Sequence, residues 1–384
     1  MTDIVETGTR INVADRMRLV KNRSSGFDYL RLILSILIIG YHTVVVCYGR
    51  EAEIEFWTSP IRPFWYLLVP GFFAMSGFLV TGSLLRVNNV PGFITLRMMR
   101  ILPALCCEVL ISAILIGPML TELPMQLYYG SPVFLSYFLN VVGDIHYALP
   151  GVFTHNHVDW VNIQLWTIPC EFKCFVVLSI MVLIGLMRNR PLYTATVLIM
   201  SASAWYSDLN NGLLVRELRP SENLIIMCFL WGMLVHMYRE YIPYNGFMFT
   251  ACIIVSWWIL SGTDMVYLAI FPITYITIYL GLLNPPKMFL ITTGDYSYGL
   301  YLYGFPIQQA VYQGFPQFRQ WQVHLPISLL LASICAYLSW HYLESKMLGK
   351  KKAALEFIYS LKPAAEEEIS LTERPTGFLG DVEA

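Results

Sequence analysis

The residues able to do chemistry stand out because they interrupt apolar runs. The stretch 27–49, FDYLRLILSILIIGYHTVVVCYG, is long enough to cross a hydrocarbon core yet carries Asp28, Arg31 and His42. An ionisable side chain in a bilayer costs some kcal/mol at the least, so such residues point to function. Arg31 and His42 are eleven residues apart, which on a helix puts them on nearly one face with an axial gap of about 16 Å. A neutral imidazole is suited to accept a hydroxyl proton near pH 7 or to carry an acyl group as a nucleophile, and the sequence does not separate these two uses. Asp28, one turn below Arg31, reads as its ionic partner.

Two further segments carry charge. In LRMMRILP (96–103), Arg97 and Arg100 are three apart and share a helix face. Paired guanidinium forks suit phosphate, while ordinary anchoring at the cytoplasmic boundary is the commoner reason for arginines there. In QLWTIPCEF (164–172), Glu171 lies about 10 Å below the outer boundary if helical, a depth matching that of His42, so the carboxylate is expected to orient the imidazole or hold an acceptor. Two more segments hold polar groups without charge. GFFAMSGFLV (71–80) offers small residues for close helix approach, plus the Ser76 hydroxyl. GDYSYGLYLYGFPIQQ (294–309) offers the hydroxyls of Tyr298, Tyr301 and Tyr303 and the amides of Gln308 and Gln309.

The elements that must position these groups follow from composition. Of 384 residues, 56% are hydrophobic and only 13% charged, with mean hydropathy +0.56, against about a quarter charged in a soluble domain, so an all-α polytopic membrane protein is expected. A net charge of −1 without a basic face excludes an electrostatic nucleic-acid binder. The eight cysteines fall mostly in apolar runs without metal spacing, and the His155-x-His157 pair lacks a third ligand, so no metal is assigned. About ten spans are expected, near 27–47, 64–85, 101–119, 165–187, 192–207, 222–238, 246–261, 264–282, 295–315 and 325–345. With both termini inside, 18 Lys and Arg fall in inner segments and 5 outside, which fixes that orientation as the expected one. Residues 1–26 read as a basic cytoplasmic tail without a removable signal, 27–345 as the membrane domain, and 346–384 as a largely disordered cytoplasmic tail. The outer loop 121–164 has no Lys or Arg but many aromatic residues, an ordered surface suited to stacking on sugar rings.

Taken in order and at these intervals, DYLR with His42, GFFAMSGF, LRMMRILP, QLWTIPCEF and GDYSYGLYLYGFP resemble the membrane-bound acyltransferase family 3 over roughly residues 25–345. The resemblance implies a ten-helix domain of the cell (inner or plasma) membrane that moves an acyl group, usually acetyl, from cytoplasmic acyl-CoA to a carbohydrate or lipid-linked glycan outside. Exopolysaccharide, O-antigen and lipo-oligosaccharide are among the family's acceptors. By position, Arg31 and His42 match the family's Arg-x10-His pair, Arg97 with Arg100 its Arg-x-x-Arg motif, Glu171 the carboxylate of its Leu-Trp-Thr segment, and Ser297 with Tyr298 its late Ser-Tyr. On that basis His42 and Glu171 are the expected catalytic pair and Arg31, Arg97 and Arg100 the expected acetyl-CoA ligands. Asp28, Ser76, Trp166, Ser297, Tyr298 and Tyr301 are expected to line the site. Gly304 stands where many members have His, and no SGNH-type domain follows the last span. A polytopic transporter or flippase of a glycolipid is the competing expectation, since intramembrane charges also serve a polar pathway.

Overall fold

The computed structural model describes residues 11–87, 89–213, 219–262 and 264–360. Among them only helices and two isolated bridges form. The principal helices are α1 (Val13–Leu19), α2 (Ser25–Thr58), α3 (Leu68–Val87), α4 (Val90–Ile111), α5 (Ile168–Leu183), α6 (Arg190–Asn210), α7 (Glu222–Met237), α8 (Gly246–Leu260), α9 (Ile270–Gly281), α10 (Ser297–Gly314), α11 (Trp321–Ser339) and α12 (Lys351–Ser360). Every expected span coincides with a helix, but the expected count is not reproduced. Among the described residues, five helical stretches are long and apolar enough to cross a membrane: Ser25–Thr58, Arg62–Leu84, Val90–Leu120, Ile163–Leu183 and Trp321–Ser360. At the other expected positions the helices are shorter, or they bury polar groups among their neighbours, as α10 does with Gln308 and Gln309. Large apolar side chains such as Leu183, Phe247 and Trp258 are bare on the outside, as a lipid-facing surface requires.

Helix α2 is capped by Ser24, whose hydroxyl accepts from the Gly26 N–H at 3.2 Å. It runs to Gly49, where φ of +78° breaks the helical path, a left-handed conformation that glycine adopts without a Cβ penalty. The break folds residues 50–58 back over the end of the helix, so that Tyr41 donates to Glu53 and accepts from Trp57 Nε1 at 2.8 Å. A Cβ at 49 would lie 3.2 Å from His157 Nδ1 of the long loop, so the same glycine admits that loop.

Helices α3 and α7 approach each other closely in the core. A Cβ on Gly77 would lie 1.9 Å from the Phe229 carbonyl oxygen, and one on Gly232 would lie 2.1 Å from that of Ala74. The two helices pack backbone to backbone through reciprocal glycines, which is the use expected of the small residues in 71–80.

Residues 121–164 are ordered, with short helices at Met125–Gly130 and Pro132–Tyr137. Gln309 of α10 clamps this loop, donating to the carbonyls of Val158 and Trp160 at 2.7 Å each. Gln308 does the same for α2, donating to Ile39 O at 3.0 Å and Thr43 Oγ1 at 2.6 Å. The two amides of 294–309 therefore fix the height of His42 and the position of the loop.

The expected tails are more built than their composition suggests. Helix α1 docks on the far end of α9, with Arg16 donating to the carbonyls of Leu282 and Leu283, and α12 packs along α4. Residues 1–10, 214–218 and 361–384 lie outside the described residues, and with them Arg10, Arg216, Lys362 and Arg374 of the charge tally and most of the segment expected to be disordered.

Candidate active site

Arg31, one turn up from Asp28, makes an ion pair with it at 3.6 Å, and Lys287 lies 3.9 Å from the other Asp28 oxygen. The stronger partner of Arg31 comes from the turn before α10: Asp295 Oδ2 is 3.1 Å from its guanidinium. The same oxygen is bonded by Arg100, whose helix reaches this level from the opposite side of the bundle. Ser297 donates its hydroxyl to the other Asp295 oxygen at 2.5 Å, and its carbonyl accepts from Ser35 at 3.0 Å. Asp295 thus ties α2, α4 and α10 together at one end of the molecule.

Above this cluster is a cavity of about 180 Å³. Its polar walls are Arg31, Ser76, Arg97, Arg100, Glu171 and the Ser297–Tyr298–Tyr301 face of α10, and its apolar walls come mainly from α3. Arg97 lies with its guanidinium carbon 5.4 Å from the centre of the Phe93 ring. Tyr298 donates to the Ile101 carbonyl at 3.1 Å, which locks α10 against α4.

A second cavity, of about 70 Å³, lies farther along α2 and holds His42. It is walled by Tyr41, Trp57, Trp65, Trp166 and Phe305, with Glu53, Gln164 and Arg219 as its polar groups. The His42 ring meets Phe305 edge-on at 5.2 Å and lies 5.4 Å from Tyr41. The Arg219 guanidinium carbon sits 4.6 Å from the Trp166 ring centre. Four residues line both cavities and form the collar between them: Ile38, Val69, Thr167 and Tyr301. Thr167 and Tyr301 share a hydroxyl–hydroxyl hydrogen bond at 2.5 Å, and Tyr301 also donates to the Gln164 carbonyl.

Glu171 is on the arginine side of this collar, within electrostatic reach of Arg97 and Arg100. The pairing with His42 expected from their matched depth is not formed: among the described residues no hydrogen bond or ion pair joins them. Depth alone did not reveal that α5 turns Glu171 toward α4. All other expected residues reach one of the cavities or its base: Trp166 is beside His42, Ser76, Ser297, Tyr298 and Tyr301 line the first cavity, and Asp28 pairs with Arg31. Lys173, one face away, pairs with Glu222 at 2.7 Å. Gly304 packs on α2, where a Cβ would come within 2.8 Å of Ile39 Cγ1.

A family model described as an acyltransferase domain, acyltransferase 3, matches residues 24–341. The chain belongs to that family. It is an acyltransferase, and the matched region contains the whole of both cavities. The chain is also similar to the O-acetyl transferase of Shigella phage Sf6, with 22% identity over 352 residues that cover 87% of this chain and 99% of the phage protein. No solved structure matches it.

Sequence reasoning missed Asp295, Gln308 as an anchor of α2, and the group Tyr41, Glu53, Trp57, Trp65 and Arg219 around His42. The one local signal was the density of aromatic residues from 41 to 66, which ordinary interfacial anchoring also accounts for.

Proposed function

We propose that this acyltransferase is a multi-pass enzyme of the cell membrane, its ten helices crossing the bilayer and both termini in the cytoplasm. It moves an acetyl or short acyl group from cytoplasmic acyl-CoA to a hydroxyl of an extracytoplasmic carbohydrate. The observation that carries the reading is the pair of cavities meeting end to end at a shared collar, one floored by arginines and the other holding His42. The O-acetyl activity named for the phage relative supports acetyl as the group, and the 18-to-5 asymmetry of Lys and Arg supports the orientation.

In this reading the coenzyme's phosphates bind Arg97 and Arg100, and its arm runs up past Arg31 and Ser76 to the collar. Trp57, Trp65 and Trp166 offer aromatic faces to the C–H faces of a sugar, and Glu53 and Arg219 offer hydrogen bonds to its hydroxyls. The acceptor hydroxyl oxygen attacks the thioester carbonyl carbon while its proton passes to the His42 imidazole. The C–S bond then breaks, the ester remains on the sugar, and the thiolate of CoA takes up a proton to leave as the thiol. Glu171, between the arginines and the collar, is placed to serve the thiol side of this exchange rather than His42. A glycolipid transporter leaves the arginine floor without a use, and membership of an acyltransferase family does not favour it.

The test is acetyl-CoA-dependent incorporation of labelled acetate into cell-surface glycan by cells with the wild-type chain, His42→Ala or no chain. Incorporation with the wild type alone is expected. Equal incorporation by a folded His42→Ala protein rules out the imidazole as base.

A further inference from the structure

Whatever joins the two cavities stands in the collar, and the collar has two unlike sides. Its polar side comes from Thr167 and Tyr301, whose hydroxyl hydrogens are already committed. Tyr301 donates to the Gln164 carbonyl, which leaves Thr167 to donate to the Tyr301 oxygen at 2.5 Å. Its apolar side comes from Ile38 of α2 and Val69 of α3. Ile38 is four residues before His42, about 6 Å down nearly the same face of the helix. Behind this side the core is closed. Ile38 belongs to a buried cluster with Leu34, Phe78 and Ile278, none of which lines either cavity, and Val69 packs against the same cluster. Protein interiors are filled to the density of organic crystals, so such a wall offers no recess to a longer chain. Neither helix is free to draw back, because Gln308 holds α2 at the Ile39 carbonyl and the reciprocal glycines hold α3 on α7.

We infer that Ile38 and Val69 gauge the length of the transferred acyl group and restrict it to acetyl. The inference rests on the transfer reading given above. A carbonyl carbon that is attacked beside His42 while still bonded to the coenzyme sulfur has to stand in the collar, in reach of both cavities. The carbon attached to it is apolar and turns to the apolar side, where a methyl group ends against Ile38 and Val69. Each further methylene has to run into the packed cluster or into the cavity of about 70 Å³ that the acceptor sugar needs. One misfitting methylene in an apolar pocket discriminates about 10–200-fold.

The test uses the full-length protein in proteoliposomes, surface glycan from cells that lack the chain as acceptor, and acetyl-, propionyl- and butyryl-CoA as separate donors, with CoA titration alongside. The wild type is expected to transfer butyryl about tenfold or more slower than acetyl. Val69→Ala and Ile38→Ala each take methyl groups off the apolar side and are expected to raise the butyryl-to-acetyl ratio about tenfold or more, with CoA binding within about twofold of the wild type. Val69→Ile adds one methylene and keeps the β-branched shape, which covers the case in which truncation unfolds the protein, and is expected to lower the propionyl-to-acetyl ratio severalfold. Equal rates from all three donors in the wild type overturn the gauge and keep the acyl-CoA reading. A wild-type donor ratio in a folded variant also overturns it, and marks the two residues as packing alone. A wild type that transfers from none of the three removes the acyl-CoA reading and the gauge with it.

Discussion

Asp295→Asn removes one charge and little volume from a junction of three helices. Arg31 and Arg100 are bonded to the same carboxylate oxygen, so their nearest nitrogens lie within about 6 Å of each other, and at an effective dielectric near 20 their repulsion is worth about 3 kcal/mol. The side chains are 22–30% exposed, which places the junction between a surface pair of about 0–1 kcal/mol and a buried pair whose rupture costs about 3–5 kcal/mol. Asp28, 3.6 Å from Arg31, and Glu171 on the Arg100 side remain to offset part of the loss. The net destabilisation expected is about 2–3 kcal/mol, read as a fall of roughly 5 °C in the unfolding temperature of the purified protein in detergent. Because phosphate replaces the missing anion, CoA is expected to restore more stability to Asp295→Asn than it adds to the wild type. An unfolding temperature within about 1 °C of the wild type refutes the claim that this carboxylate holds the junction.

Gly77→Ala puts a methyl group 1.9 Å from the Phe229 carbonyl oxygen, a clash with backbone that no rotamer relieves. The cost expected is about 3 kcal/mol or more, seen as loss of the monodisperse folded protein on size exclusion, with Gly232→Ala behaving alike from the other side. Gln308→Leu keeps the volume but releases Thr43 and the Ile39 carbonyl beside His42. It is expected to lower kcat several-fold with donor binding unchanged, as steady-state kinetics and CoA titration check. Tyr301→Phe removes the hydroxyl bonded to Thr167 and Gln164 at the collar, and is expected to reduce transfer more than it reduces binding of either substrate.

Much of this arrangement was legible in the sequence wherever the physics is local. Arg31 and Asp28 are one helical turn apart, Arg97 and Arg100 share a face, and small residues in an apolar run imply close packing; each follows from helical period alone. What was not legible depends on contacts across the chain. Asp295 is paired with residues 264 and 195 positions away, and nothing near it in sequence announces them. Matched depth suggested that Glu171 faces His42, but rotation about the α5 axis is set by packing, and packing turned it toward the arginines. The polar, charged composition after residue 345 reads as solvated tail, yet Leu355 and Tyr359 suffice to seat α12 on α4. The count of ten spans is not reproduced by length and apolarity because the helices Glu222–Met237, Gly246–Leu260 and Val266–Gly281 are short, and because in α10 hydropathy treats Gln308 and Gln309 as costs, whereas inside the bundle both amide nitrogens donate to neighbouring carbonyls.

The central claim is that a donor at the arginine end and an acceptor at the His42 end react through one collar. It is tested most directly in proteoliposomes of a single protein orientation, with labelled acetyl-CoA confined to one side and the glycan acceptor to the other. The account predicts labelled glycan only when acetyl-CoA is on the side of Arg97 and Arg100, and none with His42→Ala. Labelling that requires donor and acceptor on the same side of the membrane contradicts it.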